Sequence, residues 1–146
     1  MLLLALCITN SPDRIPDHQK YRGLDMAQSY SMTVGRTYVV AGMAIVETTF
    51  WFLIRNDLDV AQLVPAALFE GFSGAVPSGW EFGPREGIRL DGAALWERGM
   101  VSVWGYPEMV QKEDHLARLL ERNSDAIAIF DRRNPRRPDI NGPDET

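Results

Sequence analysis

The side chains best suited to metal or nucleophilic chemistry are few and scattered in this chain. It contains two histidines, His18 and His115, and a single cysteine, Cys7. A zinc site needs several converging nitrogen, sulfur or oxygen ligands, and neither histidine has another ligand at a suitable spacing. Cys7 has no basic neighbour in the sequence to activate it as a nucleophile. We therefore predict no metal site and no cofactor.

The remaining catalytic signatures are also missing. His115 follows three charged residues, so it is predicted on the solvent-facing side of a helix, where carboxylates favour its protonated form. Ser73, Ser78 and Ser102 do not lie in the G-x-S-x-G pattern of a nucleophile elbow. The stretch 71–74 has glycines but lacks the Lys-Ser/Thr pair of a phosphate-binding loop. No catalytic residue is assigned.

Paired carboxylates are the enzymatic alternative that the sequence leaves open. The candidates flank an aromatic-rich window and are Glu70, Glu81, Glu86, Asp91 and Glu97. A hydrolase or transferase would use two of them as acid and base. Since carboxylates with perturbed pKa values are the exception, surface solubility is the better account of each. The sequence favours a non-enzymatic protein.

The net charge of the chain indicates which classes of partner to expect. The chain has 146 residues and a formal net charge of -5 at pH 7, which is enough length for one modest core. An acidic surface repels phosphate backbones, so nucleic acid is not expected as a partner. The same charge favours a basic protein partner.

The apolar residues 1–8 lack the features of a targeting segment. They carry no basic residue, and no small-x-small cleavage site follows them. Eight residues are too few to span a bilayer, and the single cysteine excludes an intramolecular disulfide. We expect a cytoplasmic protein that does not associate with membranes.

The secondary-structure elements that would position any site are predicted to be strands followed by helices. The predicted fold is α+β: a small antiparallel, partly barrel-like sheet of five or six strands, followed by one or two C-terminal helices. Residues 1–31 are predicted to be a partly disordered extension, residues 32–133 a single compact domain, and residues 134–146 a disordered tail. The tail has three prolines and only one large hydrophobic residue, Ile140.

Local patterns give more detail within the domain. Residues 36–46 read as one strand, and residues 50–55 are apolar enough to be buried on both faces. The stretch 56–59 contains Asn and Asp side chains that favour a turn. Short strands are also predicted around Trp80 and Phe82, over 88–90 and over 100–104. A helix is predicted to start at Pro107, with a break or cap at Asn123 and Ser124 and a last short helix after it.

The aromatic window suggests where a partner would bind. Trp80 follows the turn 77–79, in a position where loops often carry function. The predicted partner-binding residues are Glu70, Trp80, Glu81 and Glu86, which would form an acidic patch around an exposed aromatic ring. The alternative is a small-ligand-binding module whose pocket lies among the aromatic side chains of the domain.

Several motifs together resemble a known group of proteins. They are Gly35-x-x-Tyr38, Pro65-x-x-Leu68-Phe69-Glu70, Pro77-Ser78-Gly79-Trp80-x-Phe82, Gly105-Tyr106-Pro107-Glu108 and Ile129-Phe130. This pattern, over residues 32–133, resembles small uncharacterised bacterial proteins with a β-rich body and a C-terminal helical segment. Proteins of this size and acidity include immunity proteins of bacterial toxin systems. The resemblance implies a fold and an interaction role, and it assigns no catalytic residue.

Overall fold

The computed structural model describes residues 2–11, 30–46, 49–86, 100–112 and 114–136. Eight strands and three α-helices lie in these ranges. The strands are β1 (Leu3–Cys7), β2 (Thr37–Val39), β3 (Gly42–Val46), β4 (Thr49–Arg55), β5 (Ala61–Pro65), β6 (Phe69–Gly74), β7 (Glu81–Glu86) and β8 (Met100–Gly105). A short 3-10 turn, Ala66–Leu68, joins β5 to β6. The helices are α1 (Pro107–Gln111), α2 (His115–Leu120) and α3 (Ser124–Arg133).

The strands form two antiparallel sheets. The smaller has the order β2-β1-β6 and the larger has the order β5-β4-β3-β8-β7. The α+β class is therefore confirmed. The partly barrel-like sheet is replaced by two separate sheets, because neither closes on itself within the described residues.

The larger sheet lies between the smaller sheet and the helices, so the molecule has three layers and two cores. Strand β4 shows why: successive side chains of a strand point to opposite faces. Trp51 and Leu53 pack toward the helices, whereas Phe52 and Ile54 pack toward the smaller sheet. The prediction that this strand is buried on both faces is confirmed for residues 51–54.

The chain passes from one sheet to the other in the middle of the segment predicted as one strand. Val40 donates its N–H to the carbonyl of Leu3 in the smaller sheet, and Ala41 donates to the carbonyl of Leu53 in the larger one. Residues 36–46 therefore form two strands, β2 and β3. This division and the added strand β1 raise the strand count above the predicted five or six. The strand predicted over 88–90 lies outside the described residues.

Residues 3–7, which were predicted to lie in an extension before the compact domain, form strand β1. Leu3, Ala5 and Cys7 are buried in the core between the sheets, and β1 pairs with both β2 and β6. An apolar run this short carries too little periodicity to distinguish a buried strand from an apolar chain end. Residues 12–29, which belong to the same predicted extension, lie outside the described residues.

The helical segment after Pro107 divides where one helix was expected. Lys112 has extended backbone angles and ends α1, and the chain becomes helical again at His115. Asn123 caps α3 by accepting N–H bonds from Asp125 and Ala126, as its residue type predicts. The described helices therefore number three, against one or two predicted.

Charged side chains fasten the C-terminal helix to the body. Arg133 donates two hydrogen bonds to Glu108, at 2.7 and 3.0 Å, and they lower the pKa of that carboxyl to about 2. Arg55 stacks over the Phe130 ring, 4.9 Å from its centroid, and donates to the Asn134 carbonyl. The first residues of the predicted tail thus contact the domain. Residues 137–146 lie outside the described residues.

Candidate binding groove

A row of large apolar side chains crosses the larger sheet on the face that points away from the helices. Phe52 lies opposite Val64 on one side and Met43 on the other. Met43 in turn lies opposite Trp104, and Trp104 lies opposite Phe82. Directly opposed side chains lie on the same face of a sheet, so these five residues form one continuous apolar band from β5 to β7.

The smaller sheet covers only one end of this band. Phe52 and Val64 are buried beneath it, and the Phe52 ring lies 5.4 Å from that of Phe69 on β6. At the other end Phe82 is 61% exposed, and Phe50 on the neighbouring row is 51% exposed. Fully burying such a ring is worth about 1.5–3 kcal/mol. Because each ring is only about half exposed, about half of this free energy remains for an external partner.

The open end forms a groove. Six side chains of the described residues line a depression of about 430 Å³, and we call them the aromatic groove: Met43, Ile45, Phe50, Trp80, Phe82 and Trp104. A second depression, of about 500 Å³, continues it toward the smaller sheet and shares Met43, Phe50 and Trp104 with it. Among the described residues, all that line either depression are apolar or glycine. This described surface suits an apolar group.

Ring contacts hold the groove in shape before anything binds. Trp104 meets Trp80 edge to face at a centroid distance of 6.1 Å, and it meets Phe82 at 6.3 Å with the rings perpendicular. Such pairs are worth about 0.5–1.5 kcal/mol beyond their burial. The Trp104 ring is therefore fixed between two neighbours, which lowers the entropy that binding would cost.

The structure separates the four residues predicted to bind a partner. Trp80 lines the groove. Glu81, the next residue, points to the helical face, where its carboxylate accepts hydrogen bonds from Gln111 at 2.8 and 2.9 Å. Glu70 is exposed on β6, opposite Leu6 of β1 in the smaller sheet. Glu86 ends β7 opposite Met100, and its side chain lies outside the described residues.

Sequence reasoning did not single out most of the groove. The other five groove residues were predicted only as residues of strands: Met43, Ile45, Phe50, Phe82 and Trp104. Because side chains alternate along a strand, the sequence does predict that Met43 and Ile45 lie on the same face of β3. Which part of that face the smaller sheet covers depends on the packing of distant strands, and no local signal reports it.

The prediction for His115 is wrong. Its side chain is 2% exposed, and its Nε2 lies 2.6 Å from the hydroxyl of Tyr106. Burial lowers the pKa of His115 and raises that of Tyr106, so both side chains are neutral at pH 7. The sequence placed His115 with its charged neighbours because it predicted one continuous helix, whereas the break at Lys112 turns the ring inward.

Cys7 is also held in a structural role. Cys7 is buried, its thiol donates to the Thr9 carbonyl at 3.3 Å, and burial raises its pKa. A protonated buried thiol is a poor nucleophile. Within the described ranges, no three His, Cys, Asp or Glu side chains converge as a metal site would require.

Comparisons with protein families, with curated proteins and with solved structures gave no match to this chain. Among the helices in the described residues, none has the length and apolar character needed to cross a bilayer.

Proposed function

We propose that this protein is a non-enzymatic interaction module, of the immunity or regulatory-partner kind, which binds a protein partner through the aromatic groove. The observation that carries the proposal is the uncovered half of the apolar band, where Phe50 and Phe82 are both more than half exposed. Contiguous apolar surface of this kind on a folded domain marks an interaction site. Aromatic rings are also the residues that most often anchor protein interfaces.

The openness of the groove favours a protein over a small molecule. Small-ligand sites bury about 70–90% of their ligand. The rings of Phe50 and Phe82 lie at the surface, so a small molecule placed there would keep much of its own surface in water. A partner that inserts one apolar side chain and covers the rim would bury both rings completely.

Charge supports a basic partner. The net charge of -5 attracts a positively charged protein at long range, which speeds association more than it strengthens the final complex. Salt screens this attraction over about 10 Å at 0.1 M ionic strength. The association rate is therefore expected to fall as salt is added, while dissociation from the apolar groove changes little.

Photo-crosslinking in the source organism's cells tests the proposal. A photoreactive residue replaces Phe82 in one variant and Ala128, which is exposed on α3, in a control variant. We expect one protein to be captured from position 82 and not from position 128. Capture of the same proteins from both positions, or of no protein from position 82, would contradict the proposal.

The captured protein, once purified, allows a quantitative test by isothermal titration calorimetry. Phe82→Ala and Phe50→Ala are each expected to weaken binding at least about tenfold, the equivalent of 1.4 kcal/mol. Arg118→Ala is the matched control, because Arg118 is exposed on α2 and pairs only with Asp114 among the ion pairs of the described residues. Equal affinity for all three variants would show that the groove is not the binding surface.

A further inference from the structure

A cavity among the described residues lies apart from the aromatic groove. It has a volume of about 700 Å³ and lies where β2, the turn between β4 and β5, and the end of α3 meet. Small-ligand pockets have volumes of about 300–1,000 Å³. Its walls include the buried side chains of Val40, Tyr106 and Phe130, so this cavity reaches the core, unlike the shallow groove.

Arginine dominates the charged lining of this cavity. Among the described residues, four lining side chains carry guanidinium groups and two carry carboxylates: Arg36, Arg55, Arg133 and Arg136, and Asp57 and Asp59. This excess of positive charge occurs in a chain whose net charge is -5. Arginine is the residue that best matches the planar, bidentate geometry of carboxylate and phosphate groups.

Two of the four arginines are committed to the fold. Arg55 pairs with Asp131 at 2.9 Å and is mostly shielded from water. Arg133 is held by Glu108 through two hydrogen bonds. Asp57 is similarly occupied, because it accepts hydrogen bonds from the hydroxyls of Thr33 and Tyr38.

The other two arginines are available to a ligand. Arg36 is exposed at the rim, and its guanidinium makes no ion pair with any described residue. Arg136 pairs with Asp59 at 2.7 Å, but both side chains are at least half exposed. Because both side chains are exposed to water, their ion pair contributes little to stability, so an anion can replace Asp59 at little cost.

We propose that this cavity binds a small organic anion, whose carboxylate or phosphate group is held by Arg36 and Arg136. An aromatic or aliphatic body then packs against the apolar wall beside Tyr106 and the ring of Trp80, which also lines the cavity. Among the described residues, this site shares Trp80 alone with the aromatic groove.

Isothermal titration of the full chain with three matched probes tests this assignment. The probes are phenyl phosphate, benzoate and the neutral benzyl alcohol. We expect at least one anion to bind at least about tenfold more tightly than benzyl alcohol, and the preference between the two anions identifies the head group. No binding of either anion at millimolar concentration, or equal binding of benzyl alcohol, would overturn the proposal.

Variants then locate the site. Arg36→Gln and Arg136→Gln are each expected to weaken anion binding at least about fivefold while the melting temperature without ligand stays nearly unchanged, because both side chains are exposed. Arg118→Gln, on α2, and Phe82→Ala, in the groove, are the controls and should bind the anion as the parent does. Unaltered binding in both cavity variants, or an equal loss in Arg118→Gln, would place the anion elsewhere and overturn the assignment.

Discussion

At the scale of single residues, the buried contact between Tyr106 and His115 is the main polar feature of the helical core. Tyr106 immediately precedes α1 and His115 begins α2, so their hydrogen bond ties the ends of the two helices together. The Tyr106 ring also packs against that of Phe130 on α3. Leaving one buried polar partner unpaired costs about 1–3 kcal/mol, which makes the pair structural.

This pair predicts a pH dependence of stability. Folded His115 has a pKa below the ordinary value of 6.5, first because of burial and then because of Lys112, while Glu108 and Asp114 oppose the shift. Below pH 6.5 the unfolded chain therefore binds more protons at this residue than the folded chain does. The free energy of unfolding should fall as the pH drops below 6.5, and the fall should stop once folded His115 is protonated.

Urea unfolding between pH 7.5 and 5 measures this effect, with His115→Gln as the comparison. A single histidine contributes a slope of at most about 1.4 kcal/mol per pH unit. The parent should lose more stability than the variant over this range. Glu108, whose pKa is about 2, stays ionised throughout in the folded state. Identical slopes for the two proteins would show that His115 is not held neutral.

At the scale of elements, β1 determines how the two sheets are held. It is the central strand of the smaller sheet, and its inward side chains fill the core against β4 and β6. Strands β1 and β6 approach each other closely at Gly74, which has a φ of 87° and lies opposite Leu3. A Cβ at this position would collide with the backbone carbonyl oxygen of Leu2.

A pair of glycine substitutions tests this packing. Gly35 has nearly the same backbone angle, with φ of 91°, but a Cβ there meets nothing within 4 Å. Both Gly→Ala changes carry the strain of a left-handed residue, about 1–3 kcal/mol, and only Gly74→Ala also displaces β1. We expect Gly74→Ala to lower the free energy of unfolding by at least about 1 kcal/mol more than Gly35→Ala.

Thermal and urea unfolding of the two variants make this comparison. Equal losses of stability would mean that residues 2–3 move aside without cost. In that case β1 would be weakly attached, and the stable part of the domain would begin near residue 32, as the sequence predicts.

At the scale of the whole molecule, the two faces of the larger sheet have different roles. The helices pack on one face, and the other face is divided between folding and binding. On the second, the smaller sheet covers the β4–β5 end, and the aromatic groove lies at the β7–β8 end. The anion cavity opens elsewhere, beside the end of α3, so the molecule offers two surfaces of different chemistry.

This division predicts opposite results for two phenylalanines of the same apolar band. Phe52 is 2% exposed and Phe82 is 61% exposed. Phe52→Ala should lower the free energy of unfolding by about 3–5 kcal/mol, since it leaves a cavity in the core. Phe82→Ala should lower it by less than about 1 kcal/mol. Chemical denaturation measures both, and a large loss in Phe82→Ala would show that the groove belongs to the core.

The sequence by itself determined the features that depend on neighbouring residues. The α+β class, the burial of β4 on both faces and the helix start at Pro107 follow from apolar spacing and from proline geometry. The turn after β4 follows from Asn56, whose side chain accepts N–H bonds from Leu58 and Val60. Asn123 likewise caps α3. Each depends on contacts within a few residues, which is why local patterns predict them.

Only the tertiary structure decided the features that depend on distant partners. The change of sheet between Val40 and Ala41, the inclusion of β1 and the inward turn of His115 all come from contacts with segments far along the chain or from a helix break. The candidate site belongs to the same class. Trp80 was predicted from its turn, but the groove around it exists because the smaller sheet is too narrow to cover the whole apolar face. That coverage follows from the number and order of paired strands, since hydrophobic burial is non-directional and does not itself specify which surface remains open.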